Sequence, residues 1–287
     1  MILAASYPSA EAFRADIDAT EAYMRSTEDV LRLQSAVPGY CVACERLEVF
    51  TVDAGPDFGP GYPNLREGLV CPCGAKNRDR LMILASRSEI LVAQRVIFFG
   101  ALSGWASWAR CHHGDRIQFC EYLEDASSRG QDVVTNGVTV RNEDLTSMTF
   151  DDEVADLIVH QDVLEHIPDY RASFRETYRV LKLGGQTIFT APFFHERIET
   201  FVRASLRPDG SLEHFAPEER HGDPLSPDGI LAFYNFGWSL LDEIRAAGFI
   251  EVTINMIYSG DMGLVSTGCP VSESNMMPVY ISAKKAP

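Results

Sequence analysis

Positive charge is scarce in this sequence. Its 287 residues hold 25 Lys plus Arg against 41 Asp plus Glu, a formal charge of −16. A surface of that sign repels polyanions, which argues against a nucleic-acid or anionic-membrane partner and for a small-molecule one. Long apolar runs are also missing, and nothing approaches the roughly 20 residues that span a bilayer. The opening "MILAASYPSAEAFRADIDATEAYM" has no basic start and no sustained apolar stretch, so no export signal is expected there. Internal repeats and low-complexity tracts are absent. Cysteines number only seven, and four of them stand in two close pairs. Without an export signal, that pattern favours metal ligation over a disulfide framework, and the expected location is the cytoplasm.

What is present changes texture near Arg95. Before it lie two helix-like stretches, "SAEAFRADIDATEAYMRSTEDVLRLQSAV" and "NRDRLMILASRSEILVAQ", separated by the Gly- and Pro-rich "DAGPDFGPGYPNLREG". Residues 1–92 are therefore expected to form a helical cap and residues 93–287 a second unit. In that second unit short apolar runs alternate with helical periods: "RVIFFG", "RIQFCEYL", "VTVRNEDL", "VADLIVHQD", "GQTIFTAPF", "EVTINMIY" and "VYISAKK". Buried strands separated by helices predict an α/β fold, a doubly wound Rossmann-like parallel sheet whose ligand lies beyond the carboxyl ends of the strands.

Polar residues cluster at those strand ends. Glu121 follows "RIQFC", with Tyr122 beside it; Asp144 and Leu145 follow "VRNE"; Gln161 and Asp162 follow "DLIVH". An acid closing the second strand can accept both ribose hydroxyls of a nucleoside. An acid followed by an apolar residue can take an adenine amino group and cover the ring. Singly these are ordinary solvated acids; as a set they describe an adenosine site.

The segment "NEDLTSMTFDDEVADLIVHQDVLEHIPDYRASFRETYRVLKLGGQTIFTAPF" resembles the class I S-adenosylmethionine-dependent methyltransferases, in particular through "DVLEHIPD" and "RVLKLGG". The resemblance runs from about Arg95 to the last residues. It implies S-adenosylmethionine as cofactor, with Glu121 and Tyr122 at the ribose, Asp144 and Leu145 at the adenine, and Gln161 or Asp162 near the methionine portion. One departure stands out. Where the family places a Gly-rich E/D-x-G-x-G-x-G turn, this chain has "FFGALSGWASWARC", which keeps Gly100, followed by Ala101, and Gly104 but adds Trp105 and Trp108. Trp105 is expected either in the core or against the cofactor.

The polar stretch "ERIETFVRASLRPDGSLEHFAPEERHGDPLSPDGILAFYNFGW" occupies the place where this fold often inserts substrate-recognition elements. Arg203, His214 and Glu218 are the expected substrate contacts and His221 the expected general base. Asp162 and His166 are the other catalytic candidates, His166 being either structural or turned toward the cleft. Cys41 and Cys44 in "CVAC" and Cys71 and Cys73 in "CPCG" form the expected structural zinc site. Methyl transfer to a small molecule is the expected activity. The alternatives are a cyclase or lyase that consumes the cofactor and releases methylthioadenosine, azetidine-2-carboxylate being one such product, and a non-catalytic cofactor-binding scaffold. Neither the acceptor nor the oligomeric state is legible.

Overall fold

The structure, a computed structural model, describes residues 1–52, 62–271 and 274–287. The middle of the Gly- and Pro-rich loop, residues 53–61, lies outside the described residues.

The chain opens with β1 (Leu3–Tyr7) and α1 (Ala10–Arg32). Ser9 caps α1 by accepting from Ala12 N, and Phe13, Ile17, Met24, Glu28 and Leu31 face inward at helical spacing. The cap that follows is not purely helical, as its sequence texture suggested. It is built on an antiparallel sheet of β2 (Ala36–Cys41), β3 (Arg46–Val52) and β4 (Leu69–Val70), with α2 (Leu65–Gly68) and α3 (Asn77–Val92) beside it. Arg80 fastens this unit. Fully buried, its guanidinium donates to the carbonyls of Met262, Ala75, Leu69 and Gly263 at 2.7–3.0 Å and lies over the Phe50 ring. Burial lowers its pKa to about 10, which still leaves a cation at neutral pH.

The second unit runs β5 (Val96–Phe99), α4 (Gly104–His113), β6 (Ile117–Glu121), β7 (Asp132–Thr135), β8 (Val138–Asn142), β9 (Ala155–Gln161), α5 (Tyr170–Val180) and β10 (Leu181–Thr190). Next comes an insert of short strands: β11 (Phe201–Val202), β12 (Ala204–Leu206), β13 (Leu212–His214), β14 (Arg220–Asp223), β15 (Ser226–Leu231) and β16 (Tyr234–Asn235). The chain closes with α6 (Ser239–Ala246), β17 (Ile250–Tyr258) and β18 (Val279–Lys284).

Nine strands form one sheet in the order β1-β17-β18-β10-β9-β5-β6-β8-β7. The pairs from β8 through β10 are parallel, and β18 runs antiparallel between β10 and β17. All four residues of β5 and nearly all of β9 are buried, as strands covered on both faces require. The strand order reverses beside β5, and the crevice there is the expected ligand position of an open α/β sheet. The edge strand β1 pairs with β17, so the first residues of the chain belong to the large sheet rather than to the cap.

Candidate functional site

Four parallel strands deliver their last residues to one edge. After β5 the chain turns at Gly100, whose φ of +78° few side chains tolerate. Gly104 has a different reason: a Cβ there would lie 2.7 Å from Asp79 Oδ2. Asp79 in turn caps α3 by accepting from Lys76 N at 3.0 Å. The two glycines that survive in this loop thus serve a turn and the close approach of the cap. Ala101 is buried between them. Trp105 is fully buried with its ring centroid 4.2 Å from that of Phe98, so it packs in the core under the loop. Trp108 is half-buried and stacks on His112.

Glu121 ends β6 half-buried beside this loop. Burial pushes its carboxyl up to about 7; the N–H groups of Tyr122, Ala101 and Leu102 turn toward it and partly offset that, while Asp223 adds like charge. Tyr122 is exposed under the Arg129 guanidinium. Asp144 folds into a local turn, Oδ1 accepting from Thr146 N and Oγ1 at 2.8 and 2.7 Å, and Leu145 is buried behind it. Gln161 is buried with neither side-chain amide atom paired. An amide left unsatisfied at a strand end calls for an external hydrogen-bond partner. Together with an acid on the second strand, this set fits the adenosine and methionine parts of S-adenosylmethionine.

Asp162 follows at φ +51°. The expectation of a catalytic Asp162 is corrected by its partners. Arg66 Nη2 donates to both of its oxygens, Arg78 Nη1 donates to Oδ2 at 2.9 Å, and Thr190 Oγ1 to Oδ1 at 3.0 Å. Burial opposes its charge, but Arg66 and Arg78 outweigh burial and hold the carboxyl well below the usual range, so it does not accept protons near neutrality. Both arginines come from the cap, and Glu67 joins them with Lys76. Sequence spacing offers no hint of the Arg66 contact, which joins residues 96 apart.

The insert folds back across this edge. Phe233 N donates to Glu165 O at 2.7 Å, and Asn136 Nδ2, from the turn between β7 and β8, donates to Pro224 O at 3.2 Å. That brings His221 edge-on to His166, ring centroids 5.0 Å apart, above the fully buried Glu165. His221 Nε2 lies 3.0 Å from Glu219 Oε1 and Nδ1 lies 3.5 Å from Glu165 Oε1. Burial depresses the imidazolium, but the two carboxylates outweigh it and push His221 up to about 10. Both ring nitrogens of His221 thus face carboxylates, the surroundings in which its expected role as general base would have to operate. Arg203 Nη2 braces the insert from Pro217 O and Glu219 Oε2. His214 and Glu218 point outward and are exposed, Glu218 pairing with Arg220. Glu219, not Glu218, reaches the cluster. The signal was available: residues two apart share a strand face, which puts Glu219 with His221 and Glu218 with Arg220.

In the cap, the sulfurs of Cys41, Cys44, Cys71 and Cys73 lie within 4.8 Å of one another, with Cys41–Cys73 at 4.0 Å and Cys44–Cys71 at 3.8 Å. A zinc tetrahedron with bonds of about 2.3 Å has edges of about 3.8 Å, so the cluster fits that ion.

A protein-family model described as "Methyltransferase domain" matches residues 106–189, from within α4 to the end of β10. Over residues 106–189 the chain therefore carries a methyltransferase domain, set in the α/β sheet whose order is given above. Solved structures of similar chain course include an S-adenosylmethionine-dependent methyltransferase from Mesorhizobium loti, 16% identical, covering 71% of this chain and 98% of that one with a TM-score of 0.43. Another is phosphoethanolamine N-methyltransferase 2 of Haemonchus contortus, solved with phosphomonomethylethanolamine and S-adenosylhomocysteine; it is 15% identical and covers 73% of this chain and 53% of that one, TM-score 0.41. No curated protein matches the chain. No helix among the described residues is long and apolar enough to cross a membrane.

Proposed function

We propose that the domain transfers the methyl group of S-adenosylmethionine to a small molecule held between the sheet edge and the insert. The observation that carries this is the insert's closure over the strand ends, through Phe233 N to Glu165 O and Asn136 Nδ2 to Pro224 O. It covers the strand ends with the insert, and the charge of −16 disfavours a polyanionic acceptor. Gly100 and Ala101 shape the loop beside the cofactor, Glu121 with Tyr122 beside it takes the ribose hydroxyls, Asp144 and Leu145 hold the adenine, and Gln161 meets the methionine end. The bound cofactor supplies an electrophilic methyl carbon on a sulfonium. The chain's own contribution is then to orient the acceptor in line with that carbon and to exclude water. His166, Glu165 and His221 line the acceptor side, with Arg203 and Glu219 holding His221 in place. His214 and Glu218 stand outside this arrangement.

The four cysteines hold a structural zinc in this reading; four thiolates leave no position open for substrate. The zinc ties the β2–β3 turn to the link between β4 and α3, the segment that follows Arg66 and leads to Arg78. Free thiolates in such a site suit the reducing cytoplasm.

The test is methyl-labelled S-adenosylmethionine incubated with the protein and a cell extract, followed by separation of low-mass from macromolecular material. Label in the low-mass fraction, dependent on Glu121, supports the proposal; label confined to protein or nucleic acid overturns it.

A further inference from the structure

Glu165, His166 and His221 each offer one ligand atom to a common point, all within 4.8 Å of one another. Glu165 is fully buried, and neither of its carboxylate oxygens has a hydrogen-bond partner. Such a group is costly unless a cation meets it. The two imidazoles aim ring nitrogens at that carboxylate from beyond normal hydrogen-bond distance. His166 Nδ1 lies 2.8 Å from Leu231 O, and because a carbonyl only accepts, Nδ1 carries the hydrogen and Nε2 carries the lone pair. That Nε2 faces Glu165 Oε1 at 3.7 Å. His221 repeats the pattern with its nitrogens exchanged: Nε2 is held by Glu219 at 3.0 Å and Nδ1 faces Glu165 Oε1 at 3.5 Å. One ring nitrogen tied to a carbonyl or carboxylate and the other directed at a shared point is the outer-shell arrangement of metal-bound histidine.

We infer that Glu165, His166 and His221 bind a divalent first-row transition metal ion, oriented by Leu231 O and Glu219. A tetrahedral site with bonds of about 2.05 Å needs ligand atoms about 3.3 Å apart; Glu165 Oε1 stands 3.7 and 3.5 Å from the two ring nitrogens, a few tenths of an ångström beyond that. Two imidazoles and one carboxylate suit Zn²⁺, Co²⁺, Fe²⁺ or Mn²⁺ and leave coordination positions open. Side-chain exposure rises from 0% at Glu165 through 14% at His166 to 31% at His221, so the open positions face the insert side of the cleft. There the ion binds an oxygen of the acceptor and lowers the pKa of its hydroxyl; this role, though not the site itself, rests on the function proposed above. The site is distinct in chemistry from the cysteine cluster, which takes soft-ligand metals with no position free.

The experiment is equilibrium dialysis and visible absorption with Co²⁺ on the full chain carrying a single equivalent of zinc, which the four thiolates take in preference. The expected result is one added Co²⁺ per chain, absorbing without thiolate charge transfer, with affinity reduced at least about tenfold in Glu165→Gln and in His221→Asn. His221 sits on the partly exposed insert, so His221→Asn reports even if the buried Glu165→Gln fails to fold. Co²⁺ that fails to bind below millimolar concentration, that shows thiolate charge transfer, or that binds both variants as it binds the wild type overturns the inference. S-adenosylhomocysteine affinity is measured on the same samples. If it is strong and equal in all three while Co²⁺ does not bind, the metal inference fails and the proposed function stands. If Co²⁺ binds as expected and S-adenosylhomocysteine does not, the metal site stands and the proposed function fails.

Discussion

Arg66 Nη2 lies 2.7 and 2.6 Å from the two carboxylate oxygens of Asp162, so a helix of the cap grips the end of the central strand β9. Arg78 adds a second guanidinium to the same carboxylate. The cap is thereby attached at the carboxyl end of β9, and a change at Asp162 acts on stability.

Asp162→Asn tests this cleanly, since Asn also tolerates the left-handed backbone at that position. Two largely buried guanidinium groups keep Glu67 but lose their other carboxylate partner, and a loss of about 3 kcal/mol is expected in denaturant melts. The pH dependence has a definite sign. A carboxyl held below its unfolded value contributes stability above that value, about 3.9, and loses it as pH falls further. The wild type should therefore lose stability steeply below about pH 4, and the variant should show a shallower slope there.

Glu121 should behave in the opposite sense. Its carboxyl, pushed up to about 7 by burial, must ionise to accept two ribose hydroxyls. Affinity for S-adenosylhomocysteine is expected to rise as pH passes upward through about 7. Arg110 and Asp223 also face Glu121 and act oppositely on it. Glu121→Gln should flatten the profile and weaken binding by about 10- to 100-fold, the scale of a lost charged hydrogen bond. Because a raised carboxyl contributes stability below its unfolded value and loses it as pH rises through the folded one, the ligand-free variant should be at least as stable as the wild type at pH 8. Isothermal titration across pH, with thermal melts, checks both halves.

Zinc removal should loosen the cap. Intact-mass and metal analysis are expected to give one zinc at the four cysteines, and stripping it with a strong chelator should lower Tm by more than about 5 °C, as the loss of several kcal/mol does in a chain of this size. An unchanged Tm on complete removal would argue against a structural ion.

Trp105 separates core packing from cofactor contact. Trp105→Ala should cost about 3–5 kcal/mol, as truncation of a buried aromatic does. Trp105→Phe should cost less and leave S-adenosylhomocysteine affinity unchanged; weakened binding in a stable Trp105→Phe protein would contradict the packing seen against Phe98.

The large sheet was legible because parallel strands covered on both faces read as unbroken apolar runs, from "VIFF" of β5 to "ADLIVHQ" of β9. Its edges were not. β1, "LAASY", alternates half-exposed and exposed positions and gains its identity only by pairing with β17. The strands of the insert are two to six residues long, too short for any period to declare itself, and so the insert read as a loop. Glu121 and Gln161 are the last residues of β6 and β9 and Asp144 lies two residues past β8, positions that the apolar runs before them made legible. Arg66 could not be paired with Asp162 in this way, because that contact depends on how the cap folds over the edge.

The most direct measurement of the central claim is to identify the nucleoside formed when the purified, zinc-loaded protein meets S-adenosylmethionine, with and without a deproteinised low-mass extract. S-adenosylhomocysteine appearing only with the extract, together with a methylated small molecule, is the predicted result. Methylthioadenosine formed from the cofactor alone would contradict methyl transfer and assign the cleft to an intramolecular reaction.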